Sequence, residues 1–172
     1  SIVCFNSLSS IGNGKLLPAG PLRENLYELK NYNAAFINGE KNIQLEKKIR
    51  NFNKKIKIFR GKYILKNKKS FSKKKKYLAF CGIGTPESFF YMLKDNNIKI
   101  GHKIIFPDHY DYNFQDIKQI NDLALKKNLK LITTEKDFVK LTKFKNLKLS
   151  FADVDLKIFK LSLFKKFLTN NL

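Results

Sequence analysis

Arginine is scarce in these 172 residues. Arg23, Arg50 and Arg60 stand against 32 lysines, so each of the three gains weight as a planar fork able to grip phosphate through two hydrogen bonds. Cysteine occurs twice, at Cys4 and Cys81, far apart and inside apolar runs. That spacing argues against a disulfide or a metal site and for buried thiols of a reducing compartment. No apolar run approaches the ~20 residues that a membrane span needs. An initiating Met is missing, and Ser1 leads straight into the strand-like Ile2–Phe5, so we expect sequence upstream. A phosphate-binding loop is absent too. Walker A chemistry needs a glycine five residues before Gly-Lys and a hydroxyl after it, and around Gly14-Lys15 those positions hold Ser9 and Leu16. The Gly82-x-Gly84 turn lacks the third glycine of a dinucleotide fingerprint, which argues against NAD. Acidic residues are few, 14 against 35 basic, giving a net charge of +21. Such an imbalance draws a protein toward nucleic acid, anionic lipid or phosphorylated substrates. The abundance of Lys, Asn, Ile and Phe is also the profile of an AT-rich coding sequence, in which much of the charge is solvated surface.

What is present is organised around Tyr77–Asp137, where an apolar strand, a polar loop and a helix follow one another three times. Tyr77–Cys81 leads through Gly82–Thr85 to a helix from Pro86, with Thr85 as cap and Phe89, Phe90 and Leu93 as its inward stripe. Lys103–Phe106 leads through residues 107–112 to a helix opening at Asn113, with Asp116 at the capping-partner position and Phe114, Ile117, Ile120 and Ala124 facing inward. Leu129–Thr133 leads to Thr134–Asp137, again a helix start. This alternation predicts an α/β fold, a mainly parallel, Rossmann-like sheet with flanking helices. All three loops then share the carboxyl edge of the sheet, where helix N-termini collect ligands. Gly82, Gly84, Thr85, Asp108, His109, Asp111, Thr134, Glu135 and Lys136 are the candidates on that rim.

Elsewhere, Asn25–Lys30 reads as a short helix, Ala34–Ile37 as a strand, and 38–55 as a linker or exposed helix. Ile56–Leu65 alternates apolar with basic residues, a half-exposed strand or ribbon, and Lys66–Lys76 is a basic loop. Leu147–Ala152 suggests a further strand. Leu156, Phe159, Leu163, Phe164, Phe167 and Leu168 form one helical stripe that either closes the core or lies on an anionic membrane surface. Arg23 has two readings, a phosphate grip or a surface ion pair with Glu24 or Glu28.

Four stretches in register, IGNGKLLPAGPLRE at Ile11–Glu24, CGIGTPESFF at Cys81–Phe90, FPDHYD at Phe106–Asp111 and TTEKD at Thr133–Asp137, closely resemble the C-terminal half of the tetraacyldisaccharide 4'-kinase (lipid A 4'-kinase) family. The resemblance implies a transferase that moves the γ-phosphate of ATP, with Mg²⁺, to the 4'-hydroxyl of a lipid A disaccharide precursor, peripherally at the cytoplasmic face of the bacterial inner membrane. It implies residues 1–55 as the tail of an N-terminal P-loop kinase domain, 56–76 as a β-ribbon and basic linker, and 77–172 as a C-terminal α/β substrate domain. The nucleotide loop, metal carboxylates and catalytic aspartate of the family lie upstream of Ser1, so the chain is expected to be a fragment, inactive alone. His109 matches a family histidine that can support the base carboxylate, with Asp108 or Asp111 orienting its ring; the alternative is a purely structural loop histidine. Arg23 and Glu24 match an active-site pair, and Asn13 lies in the same motif as a substrate-binding candidate. The family commonly has Asp-Gly where this chain has Asn6-Ser7, which removes a carboxylate near the nucleotide half. An anionic membrane surface is an implied partner. A nucleic-acid-binding or non-catalytic lipid-binding domain is the competing reading, and nucleic acid is not expected, because most Phe fall on core stripes.

Overall fold

The computed structural model describes residues 1–144 and 147–170, which fall into two compact units. One is Ser1–Tyr63 with Leu156–Leu172, the other Ile64–Asp155. The chain's last segment groups with its first. None of the described helices is long and apolar enough to cross a membrane.

In the first unit, strands β1 (Ile2–Asn6), β2 (Ala34–Asn38) and β3 (Lys57–Leu65) are parallel, and β8 (Val154–Ile158) follows β3 in the sheet order β1-β2-β3-β8. A 3-10 helix, Leu26–Asn31, precedes β2. The 38–55 stretch is not a linker. It holds helix α1 (Ile43–Phe52), capped by the Asn42 side chain on the Leu45 N–H, and α1 buries Leu45 and Ile49 against Ala35 and Ile37 of β2. The expected single stripe over Leu156–Leu168 is two elements. Leu156 lies in β8, Lys160 takes a left-handed backbone (φ 53°), and helix α5 (Leu161–Thr169) begins after it. Phe164 and Phe167 pack edge-on and tilted against Phe59 at 4.9 and 5.1 Å, so α5 closes a core. Its outer positions Leu161 and Leu163 are about half exposed. Cys4, expected to be buried, is exposed on β1, while Cys81 is buried; both thiols are free.

The second unit carries the three-fold repeat. Strands β4 (Lys76–Cys81), β5 (Lys99–Ile105), β6 (Lys130–Thr134) and β7 (Leu149–Ala152) form a parallel sheet in the order β5-β4-β6-β7. Central β4 is buried from Tyr77 to Cys81, as a strand covered on both faces must be. Helix α2 (Pro86–Asp95) buries Phe89, Phe90, Met92 and Leu93 over one side. Helix α3 (Phe114–Lys126) covers the other with Ile117, Ile120 and Ala124. Phe114, expected in that stripe, is 74% exposed instead. Helix α4 (Glu135–Leu141) completes the set. Each helix opens at the carboxyl end of its strand, so the three connecting loops meet along one edge.

Candidate functional site

The rim of the second unit is built from these helix starts. Asn113 and Asp116 form a full capping box at α3, each side chain accepting from the other's backbone N–H at 2.9 Å. Thr134 caps α4 by accepting from the Asp137 N–H at 3.1 Å. Thr85, expected to cap α2, makes no such bond, and Pro86 at the first turn needs none. Gly82 is buried under the β5–α3 loop. A Cβ there would stand 3.0 Å from the Pro107 carbonyl and 3.3 Å from both Tyr110 Cβ and the Tyr112 hydroxyl, so a residue without one lets the loops close.

On top of this base sit Asp108 and His109. His109 takes a left-handed backbone (φ 61°) at the tip of the loop, and its side chain is 77% exposed. Its N–H donates to Asp108 Oδ1 at 2.9 Å, and its Nε2 lies 3.9 Å from Asp108 Oδ2. Lys136, from the first turn of α4, reaches Asp108 Oδ1 at 3.4 Å, and Gly84 packs beneath the same carboxylate. The glycine turn, the Asp-His pair and the α4 start therefore share one exposed corner. Asp111 points away from it, 3.0 Å from Lys143.

Partial desolvation opposes ionisation of Asp108, but the Lys136 ammonium and the His109 N–H outweigh it and hold its carboxyl below the usual range. A lowered carboxylate contributes stability that is present above its unfolded pKa and lost as pH falls through the folded value. Replacing Lys136 with Met should therefore lower Tm near neutral pH, and the difference from the parent should shrink as pH falls through the acid range in which the Asp108 carboxyl protonates. A Tm difference that does not depend on pH would show that this pair contributes nothing.

In the first unit, Arg23 and Glu24 line a cleft of about 490 Å³ with β1 and the 3-10 helix. Glu24 accepts a 2.8 Å hydrogen bond from the Tyr32 hydroxyl, and that bond pushes the Tyr32 pKa up. Glu24 is thus fixed by Tyr32, and among the described residues no ion pair joins it to Arg23. Asn13 is engaged inside its own loop: its Nδ2 donates to the Ala19 carbonyl at 2.8 Å and its Oδ1 accepts from the Lys15 N–H at 3.1 Å. Gly12 in that loop has φ 57°, and a Cβ there would run into the Pro21 ring. Asn6, where the family commonly has Asp, still accepts from the Leu8 N–H at 2.9 Å.

The candidate list lacked Tyr112 and Asp137, both buried beneath Gly82. Asp137 Oδ2 accepts from the Gly82 N–H at 3.0 Å and from the Thr134 hydroxyl at 2.7 Å. Burial, then the neighbouring Asp137 charge, raises the Cys81 thiol to about 12 and the Tyr112 hydroxyl well above its ordinary value, so neither ionises near neutrality.

Comparison with known proteins agrees with the motifs. Relatives named tetraacyldisaccharide 4'-kinase include one from Pelagibacter ubique, 47% identical over 142 residues, and one from Rickettsia bellii, 37% identical over 144 residues. These alignments cover 81% and 82% of this chain but 45% and 43% of the relatives, so the chain spans less than half their length. A crystal structure of LpxK from Aquifex aeolicus in complex with ATP shares the fold, with a TM-score of 0.58 at 24% identity over 98% of this chain and 51% of that one. A family model described as tetraacyldisaccharide-1-P 4'-kinase matches residues 1–172, and the chain belongs to that family.

Proposed function

We propose that this chain supplies the acceptor-side portion of a lipid A pathway kinase, which transfers the γ-phosphate of ATP to the 4'-hydroxyl of a tetraacyldisaccharide 1-phosphate. The observation that carries the reading is the exposed corner where His109 stands on Asp108, Lys136 and Gly84 at the carboxyl edge of a parallel sheet. Phosphoryl transfer asks a protein chiefly to align the acceptor oxygen, accept its proton and offset charge on the phosphoryl oxygens. His109 has an exposed ring able to reach a sugar hydroxyl or a base carboxylate. Asp108 holds the loop through the His109 N–H, and Lys136 holds Asp108. Arg23, exposed on its cleft, is the fork for a phosphate or the sugar headgroup, with Glu24 beside it and Asn13 fixing their loop.

Mg²⁺, when bound with ATP, offsets negative charge on the phosphates. Among the described residues no group of three or more His, Cys, Asp or Glu stands together as a ligand set, and we derive no step through the metal. We assign the nucleotide and the metal to the P-loop portion of the full-length protein. Residues 1–55 join that portion, 56–76 link, and the rim belongs to the acceptor side. The enzyme would work peripherally at the cytoplasmic face of the inner membrane, where surface lysines contribute about 1 kcal/mol each toward anionic lipid. The burial of Phe80, Phe89, Phe90 and Phe167 supports leaving nucleic acid out of the reading.

The test is an assay of the 172-residue chain beside a full-length protein bearing a Gly-x-x-x-x-Gly-Lys-Ser/Thr loop upstream. The chain alone should show no ATP turnover, and the full-length protein should phosphorylate a tetraacyldisaccharide 1-phosphate. A full-length protein that binds this lipid without turnover would replace the kinase reading with that of a lipid-binding paralogue.

A further inference from the structure

We propose that Asp137 is a positioning residue for the rim: its buried carboxylate holds the glycine turn after β4 and, through that turn, the loop that presents Asp108 and His109. The inference deepens the function proposed above and rests on it for its catalytic consequence.

Two helix starts of the second unit differ in what their third residue holds. Asp116 and Asp137 both occupy the third helical position after a capping side chain. Asp116 does what that position ordinarily does and reaches back to the N–H of its own cap, Asn113. Asp137 does not. Its Oδ2 crosses to the Gly82 N–H, 55 residues away in the turn after β4, and takes the Thr134 hydroxyl as its second donor. A cap would not need to be sealed from solvent, yet Asp137 has no exposed surface at all. A buried carboxylate is costly unless it accepts hydrogen bonds, and bonds from N–H to an anion are about twice as strong as neutral ones. The arrangement therefore clamps Gly82 more firmly than a hydroxyl or amide would.

Gly82 transmits that hold. It lies against the Pro107 carbonyl, Tyr110 and the Tyr112 hydroxyl, and two residues later Gly84 packs under the Asp108 carboxylate. Lys140 of α4 ties the same loop from above by donating to the Tyr110 carbonyl at 2.8 Å. Asp137 Oδ1 and the Tyr112 hydroxyl are both buried, and the hydroxyl stands close enough to the carboxylate for Asp137 to raise its pKa through charge and hydrogen bonding. The Tyr112 ring thus brings a second polar group from the His109 loop into the space beside the carboxylate. Thr133 next door has a separate task, its hydroxyl donating to the Phe80 carbonyl at 2.8 Å. One anion thereby registers all three rim loops.

The test uses Asp137→Asn, which keeps size and removes charge. In the 172-residue chain, amides of 82–85 and 108–113 should exchange hydrogen roughly tenfold faster in the variant, while those of β4 and β6 keep the parental rate. In the full-length kinase, kcat should fall roughly 10- to 100-fold with KM for ATP within twofold. On a His109→Ala background the same change should cost less than about threefold more, because both act through one residue. Thr134→Val removes one donor to the carboxylate and should move exchange in the same direction if Asp137→Asn fails to fold. Unchanged exchange of the two loops, or equal kcat losses with and without His109, would overturn the assignment. Should His109→Ala prove harmless, the kinase role of the rim falls, and loop exchange alone still decides whether Asp137 holds the loop.

Discussion

Full-length His109→Ala is expected to lower kcat by about 10²-fold or more while leaving KM for ATP near the parental value. The size follows from what the ring is free to do. Asp108 accepts the His109 backbone N–H at 2.9 Å, whereas the ring nitrogen lies 3.9 Å away, so the carboxylate fixes the loop and leaves the imidazole able to turn toward an acceptor. Lys136 competes for the same carboxylate. An alanine at φ 61° would also strain the backbone, because β-carbons are disfavoured there and Asn and Asp tolerate that region better. His109→Asn separates the two effects. It keeps a residue suited to the left-handed turn and removes the imidazole. Loss of activity in both variants assigns the effect to the ring, and loss in Ala alone assigns it to the backbone. A kcat within twofold of the parent in both would remove His109 from the mechanism.

The rim was legible because its signals are local. Three apolar strands each followed by glycine, aspartate or threonine ahead of a helical stripe gave the parallel sheet and the carboxyl edge on which Gly84, Asp108 and Lys136 lie; that these three meet is seen only in the fold. The first unit was harder to read. Helix α1 turns only Leu45 and Ile49 fully inward among polar and charged residues, so its period is faint and the stretch read as either a linker or an exposed helix. The break between β8 and α5 depends on Lys160 in a left-handed conformation, which lysine does not advertise as glycine would. That α5 returns to the first unit depends on Phe36 and Phe59, more than a hundred residues earlier, and no periodicity reports such a partner. Asp137 escaped for a different reason. Its sequence signal is the same as that of Asp116, and only the fold shows one carboxylate turning to its own cap and the other to Gly82.

Phe80→Ala should destabilise the second unit by about 3–5 kcal/mol, a large share of the roughly 5–15 kcal/mol that holds a domain. Phe80 has no exposed surface and sits on β4, one of the two strands of its sheet with neighbours on both sides. Its ring meets Tyr112 edge-on at 6.0 Å and Phe106 at 6.5 Å, and those two rings meet each other and Tyr110 at 5.0, 4.8 and 5.3 Å. Edge-to-face pairs at such distances add about 0.5–1.5 kcal/mol beyond the area they bury. Phe106, Tyr110 and Tyr112 are the base of the His109 loop, so the void left by Phe80 opens directly beneath the rim. Because the chain has two compact units, a single denaturation midpoint would mix them. Hydrogen exchange of the β4 and β6 amides in low urea reads the second unit by itself. Leu125→Ala, at a position 71% exposed, is the control and should stay within about 0.5 kcal/mol. A Phe80→Ala loss below about 1 kcal/mol would mean that the aromatic cluster closes over the gap, and then the loop's position could not depend on the packing beneath it.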